Sequence, residues 1–180
     1  MRKVEIMGDL SFGWIGNGKK IRLHKHADVT KLTLVIKSLL QGYQKYEEGG
    51  IRAKNVIQYN GKIIYILSIN RTGTTWSPYP LLYEHLMGKL DDFYLLLARG
   101  DMIGTDNEHE EISGEFWLLN GDTLKEKIWD EERQQPKLTY NEGRTIGGAY
   151  YSFPGSLLKE EEKKSFNSKE ELDETLRNLL

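Results

Sequence analysis

Three stretches carry residue types that do chemistry. The first is Lys20-Ile21-Arg22-Leu23-His24-Lys25-His26. Read as a strand, it places Lys20, Arg22, His24 and His26 on one face, with Ile21 and Leu23 on the other. Two neutral imidazoles at i, i+2 could ligate a metal, or act as general acid and base on a phosphoester. Arg22 beside them opposes a cation and suits an anion. The plainer reading is a polar, solvent-facing strand side.

The second is the loop RTGTTWSPYP, residues 71–80, with Arg71, Thr72, Thr74, Thr75 and Trp76. Arg144 and Thr145 could join it. Guanidinium and hydroxyl donors beside glycine backbone suit a phosphate or carboxylate, and Trp76 could stack on a base. The plainer reading is a hairpin-end loop pinned by Trp76. The third is the acidic loop Asp101, Asp106, Glu108, His109, Glu110, Glu111. Hard oxygen ligands could hold Mg²⁺, Mn²⁺ or Ca²⁺. The order of residues is not that of an EF-hand, and charge runs of this kind are usually solvated. No metal and no cofactor are therefore expected.

Other chemistries are closed off. The chain has no cysteine, which removes disulfides and thiolate catalysis. It contains no G-x-x-x-x-G-K-[ST] and no G-x-S-x-G. Gly13-Trp14-Ile15-Gly16-Asn17-Gly18 lacks the strand-turn-helix context of a dinucleotide site. A formal net charge of −2 gives no global field toward nucleic acid or anionic membrane. No apolar run approaches the length of a membrane span.

The elements that must position these residues are read from periodicity. Asn55 to Asn70 predicts a hairpin on an Asn60-Gly61 turn, with Tyr59 opposite Lys62, Ile57 opposite Ile64 and Val56 opposite Tyr65. Its second strand is apolar on both faces, Ile64 and Ile66 against Ile63, Tyr65, Leu67 and Ile69, so it should be central in its sheet. Residues 2–26 predict a hairpin turning at Gly16-Asn17-Gly18, with a bulge at Gly8. Asp28 to about Glu47 predicts a long amphipathic helix capped by Asp28. Leu81 to Gly88 suggests a short helix, and 90–98 is either helix or strand. Glu115 to Trp129 predicts two strands around Asn120-Gly121, residues 130–137 a solvated loop, and 137–153 another hairpin. Ser168 and Glu171 cap a charged C-terminal helix with a narrow stripe of Leu172, Leu176 and Leu179.

The expected fold is α+β: one domain, a largely antiparallel sheet built from hairpins, a long helix on one face and a charged C-terminal helix. Residues 1–153 form the core and 154–180 a helical tail docked by its leucines. The expected function is that of a non-catalytic, cytoplasmic binding protein for a partner protein or a small anionic, phosphate-bearing ligand. The site would comprise Arg22, His24, His26, Arg71, Thr74, Thr75, Trp76 and Arg144. Membrane is not expected, nucleic acid is not favoured, and a homodimer stays open. The alternative is a small phosphodiesterase or nuclease, using His24 and His26 or a metal in the 101–111 loop. Whether the 22–26 and 71–76 surfaces meet is beyond sequence.

Overall fold

The computed structural model describes residues 5–7, 10–14, 20–22, 26–46, 55–78, 92–103, 111–141 and 150–180. Asn60 and Gly61 both have positive φ, 48° and 78°, as the two-residue turn requires. The strands they join are β5 (Val56–Tyr59) and β6 (Lys62–Ile69), in the expected register. Ahead of them lie β1 (Glu5–Met7), β2 (Leu10–Trp14), β3 (Lys20–Arg22), helix α1 (His26–Leu39) and β4 (Gln44–Lys45). Beyond them come β7 (Thr75–Trp76), β8 (Phe93–Ile103), β9 (Glu111–Asn120) and helix α2 (Gly121–Ile128). The rest are β10 (Trp129–Asp130), β11 (Gln135–Pro136), β12 (Thr139–Asn141), β13 (Tyr150–Pro154), a 3-10 turn (Gly155–Leu158), β14 (Lys164–Phe166) and helix α3 (Lys169–Leu179).

The main sheet has the order β14-β9-β8-β6-β5-β4. All its neighbours are antiparallel except the central pair, β6 and β8, which run parallel. The content is therefore mixed and sheet-rich, with a mostly antiparallel six-stranded sheet and three helices among the described residues. Both faces of β6 are covered, as its two-sided apolar pattern demands. On one face Ile64, Ile66, Leu96 and Phe116 pack with Leu32, Ile36 and Leu40 of the α1 segment and Leu172 and Leu176 of α3. On the other, Ile63, Tyr65, Leu97, Trp117 and Leu119 pack with Leu124 and Ile128 of α2, and with Trp76, Phe153 and Leu158.

Several elements differ from the sequence reading. The stretch 93–103 is strand, paired along its length with β6 and β9. Asn120-Gly121 is not a hairpin turn. Asn120 sits in extended backbone (φ −75°) and its side chain accepts the Thr123 N–H at 2.9 Å, capping α2. The same residue type serves both turns and caps, and Leu124 and Ile128 at i, i+4 decide for helix. Residues 130–137 hold the small β10–β11 pairing rather than a plain loop. Met7 lies opposite Leu10, so the chain reverses between β1 and β2 in place of the expected bulge. Helix α1 opens at His26, not after Asp28, and ends at Leu39. Gly42 at φ +82° turns the chain, and Gln44 and Lys45 then pair with Gln58 and Ile57. The expected 137–153 hairpin is present as β12–β13. The expected helix at 81–88 lies outside the described residues.

The tail contributes more than its leucine stripe. Lys164–Phe166 pairs with Phe116–Gly114 at the edge of the main sheet. The Phe166 ring lies over Gly114, where an added Cβ would fall 2.9 Å from Cζ and 2.4 Å from the Arg99 carbonyl oxygen. Ser168 Oγ accepts the Glu171 N–H at 3.1 Å, so α3 begins where the capping pattern put it.

Candidate functional site

At the carboxyl end of the parallel pairing β6 gives way to irregular backbone, while β8 runs on as strand to Ile103. The last register pair of β6 and β8 is Ile69 with Arg99, and the chain leaves β6 directly into the loop Asn70–Thr74. In sheets with parallel strands the crevice beyond their carboxyl ends is a common ligand position.

Tertiary hydrogen bonds hold this loop. The Arg71 N–H donates to Asp101 Oδ1 at 3.3 Å. Gly73 N–H donates to the Asn70 carbonyl at 2.9 Å, and Thr72 Oγ1 to Asn70 Oδ1 at 2.9 Å. Gly155 N–H donates to the Thr74 carbonyl at 2.8 Å, and Arg99 Nη1 to the Gly73 carbonyl at 3.4 Å. Thr75 and Trp76 then pair with Pro154 and Phe153. The backbone is thus fixed at several points, while Arg71, Thr72, Thr74 and Thr75 remain exposed. The Arg71 guanidinium has no ion pair among the described residues.

Trp76 plays a different part from its neighbours. It is fully buried, donates Nε1–H to the Ala98 carbonyl at 3.1 Å and meets Trp117 edge to face at 5.8 Å. Its ring anchors the loop and offers no face for stacking on a base.

Beneath the loop lies a charged cluster that the sequence reading missed. Arg99 donates Nε to Glu115 Oε1 at 2.8 Å and Nη2 to the same oxygen. Lys163 Nζ reaches Glu115 Oε2 at 2.8 Å. The Arg99 guanidinium also lies 5.5 Å from the Trp117 ring centre. Partial burial alone would raise the Glu115 pKa. The hydrogen bonds and charges of Lys163 and Arg99 outweigh it and hold the carboxyl below its usual value. One signal is present in sequence: Arg99 directly follows the apolar run of β8 and Glu115 directly precedes that of β9. Their meeting depends on a strand register that no short turn announces.

Helix α1 has its amino terminus toward the same end of the sheet. Thr33 Oγ1 and Ser68 Oγ, both buried, hydrogen-bond at 2.8 Å. Beyond the other end of α1, Gln44 pairs with Gln58, itself opposite Ile63 at the start of β6. The helix therefore runs antiparallel to β6. His26 begins it about 10 Å of axis before Thr33, toward the Asn70 end, at 1.5 Å per residue.

Of the other sequence candidates, Arg22 and His26 fall within the described residues. Arg22 closes β3 and His26 opens α1, so His26 does not share a strand face with Arg22. A seven-residue alternation meets a helix with apolar spacing from Val29 onward, and the helix takes the junction. His24, Arg144, Asp106, Glu108, His109 and Glu110 lie outside the described residues. Asp101 is engaged with the Arg71 backbone. Among the described residues no group of three or more His, Asp or Glu side chains is placed to hold a metal. No helix there is long and apolar enough to cross a membrane.

No known relative matches. Comparison with protein-family models, with curated proteins and with solved structures finds no counterpart for the chain.

Proposed function

We propose that the chain is a non-catalytic binding protein whose loop Asn70–Thr75 takes a small anionic ligand bearing a phosphate or carboxylate. One observation carries this reading: the exposed Arg71 guanidinium has no ion pair among the described residues, on a backbone held by hydrogen bonds from both sides. A pre-ordered loop loses little entropy on binding, and a guanidinium suits bidentate contact with an oxyanion. The exposed hydroxyls of Thr74 and Thr75 add donors beside it. The amino-terminal end of α1 lies toward the same end of β6 as the loop.

The test is a thermal-shift screen with inorganic phosphate, nucleotides and cyclic oligonucleotides, followed by titration of any that raise Tm. Affinity should fall with added salt, since exposed ionic contacts are screened within about 8–10 Å. Arg71→Ala should weaken binding about ten- to a hundredfold, the value of one charged hydrogen bond. If no anion raises Tm, the loop is better read as a surface for a partner protein. The phosphodiesterase alternative starts from two histidines on one strand face, and His26 stands at a helix start instead. The His24→Ala, His26→Ala double variant keeps the two apart. A binder loses at most part of its affinity, whereas a histidine-dependent phosphodiesterase loses turnover.

A further inference from the structure

An unbroken run of contacts links the sheet edge to the binding loop. Lys163 immediately precedes the edge strand β14 and is half exposed. Its ammonium holds one oxygen of Glu115, and Arg99 holds the other. Arg99 directs its remaining terminal nitrogen to the Gly73 carbonyl, two residues from Arg71. The aromatic floor takes the same path, with Arg99 against Trp117 and Trp117 against Trp76. Glu115 itself is only 18% exposed, so its two cations are its main replacement for water.

We infer that Glu115 is a positioning residue through which the charge on Lys163 sets the order of the loop Asn70–Thr74. The logic is that of a shared acceptor. With Lys163 charged, Glu115 is pinned at both oxygens and presents a fixed acceptor to Arg99. Arg99 is then held against Trp117 with Nη1 free to reach Gly73. Neutralise Lys163, as acylation of its exposed amine would, and one oxygen of Glu115 loses its partner. The carboxylate can then rotate, and Arg99 moves with it away from the carbonyl. The regulation of the loop rests on the binding role proposed above, but the mechanical link does not.

Hydrogen exchange on the 180-residue chain tests the link without any ligand. The reporters are the Gly73 amide, bonded to Asn70, and the Gly155 amide, bonded to Thr74. Lys163→Gln and Glu115→Gln should each speed exchange at least severalfold in peptides covering 70–76 and in those containing the Gly155 amide. Exchange in the β6 and β8 amides should stay unchanged, and Lys163→Arg should restore the slow rate. Unchanged loop exchange in a folded Lys163→Gln variant overturns the inference. So does faster exchange spread evenly over the core strands, or failure of Lys163→Arg to rescue, since either marks a purely structural role. Phosphate or nucleotide titration of the same variants is a separate readout. Faster loop exchange without any anion binding leaves the link standing and removes the ligand reading alone.

Discussion

Ile64 sits in the sheet face that Leu32, Ile36 and Leu40 cover. Ile64 reads as core from its place after an Asn-Gly turn, and it is completely buried. Ile64→Ala should lower stability by about 2–5 kcal/mol in urea denaturation, the usual range for such a truncation; a loss under about 1 kcal/mol would mean the site collapses around the missing atoms. Glu115 is illegible for the opposite reason. An isolated carboxylate in a strand is ordinary until two cations from distant segments close on it. Its folded pKa is depressed, so its contribution to stability is present above the unfolded value, about 4.3, and is lost as pH falls through the lower folded value. The gap in Tm between wild type and Glu115→Gln should therefore be open at neutral pH and close in acid. A gap that persists unchanged below the unfolded pKa would show that the ion pairs are not its source.

At the level of elements, one dipeptide meets two fates. Asn60-Gly61 turns a hairpin and Asn120-Gly121 starts a helix. The residues downstream make the difference: alternation after the first, i, i+4 leucine and isoleucine after the second. Asn120→Ala should cost about 0.5–2 kcal/mol through the lost cap, measured by thermal or urea unfolding. A neutral result would mean that α2 is held by packing alone. The C-terminal segment is readable as a helix with a leucine stripe, but β14 is not, because three residues carry no usable period. Its place at the edge of the main sheet bears on a shortened chain. Ending the chain at Phe153 removes the partner of Gly114–Phe116 and two fully buried leucines. Such a chain should lose its cooperative urea transition by circular dichroism. A sharp transition near that of the full chain would show that the segment is dispensable.

Across the whole molecule, the hairpins are visible in sequence and the way they join is not. A two-residue turn fixes antiparallel neighbours locally, which is why the β5–β6 register can be drawn from sequence. The β6–β8 pairing has no such marker, since an apolar run of that length fits helix or strand equally. That parallel seam is also the centre of the sheet, and its two strands are separated by residues 70–92. Neither flanking hairpin can bury its two-sided strand until this gap closes. The search for that closure, rather than the formation of any hairpin, should govern how fast the protein folds. Stopped-flow refolding should then fall on the order of milliseconds to seconds, slower than a helical chain of similar size. Substitutions along the seam, at Leu95 or Ile66, should slow refolding more than they speed unfolding, while those in β12 should do the reverse.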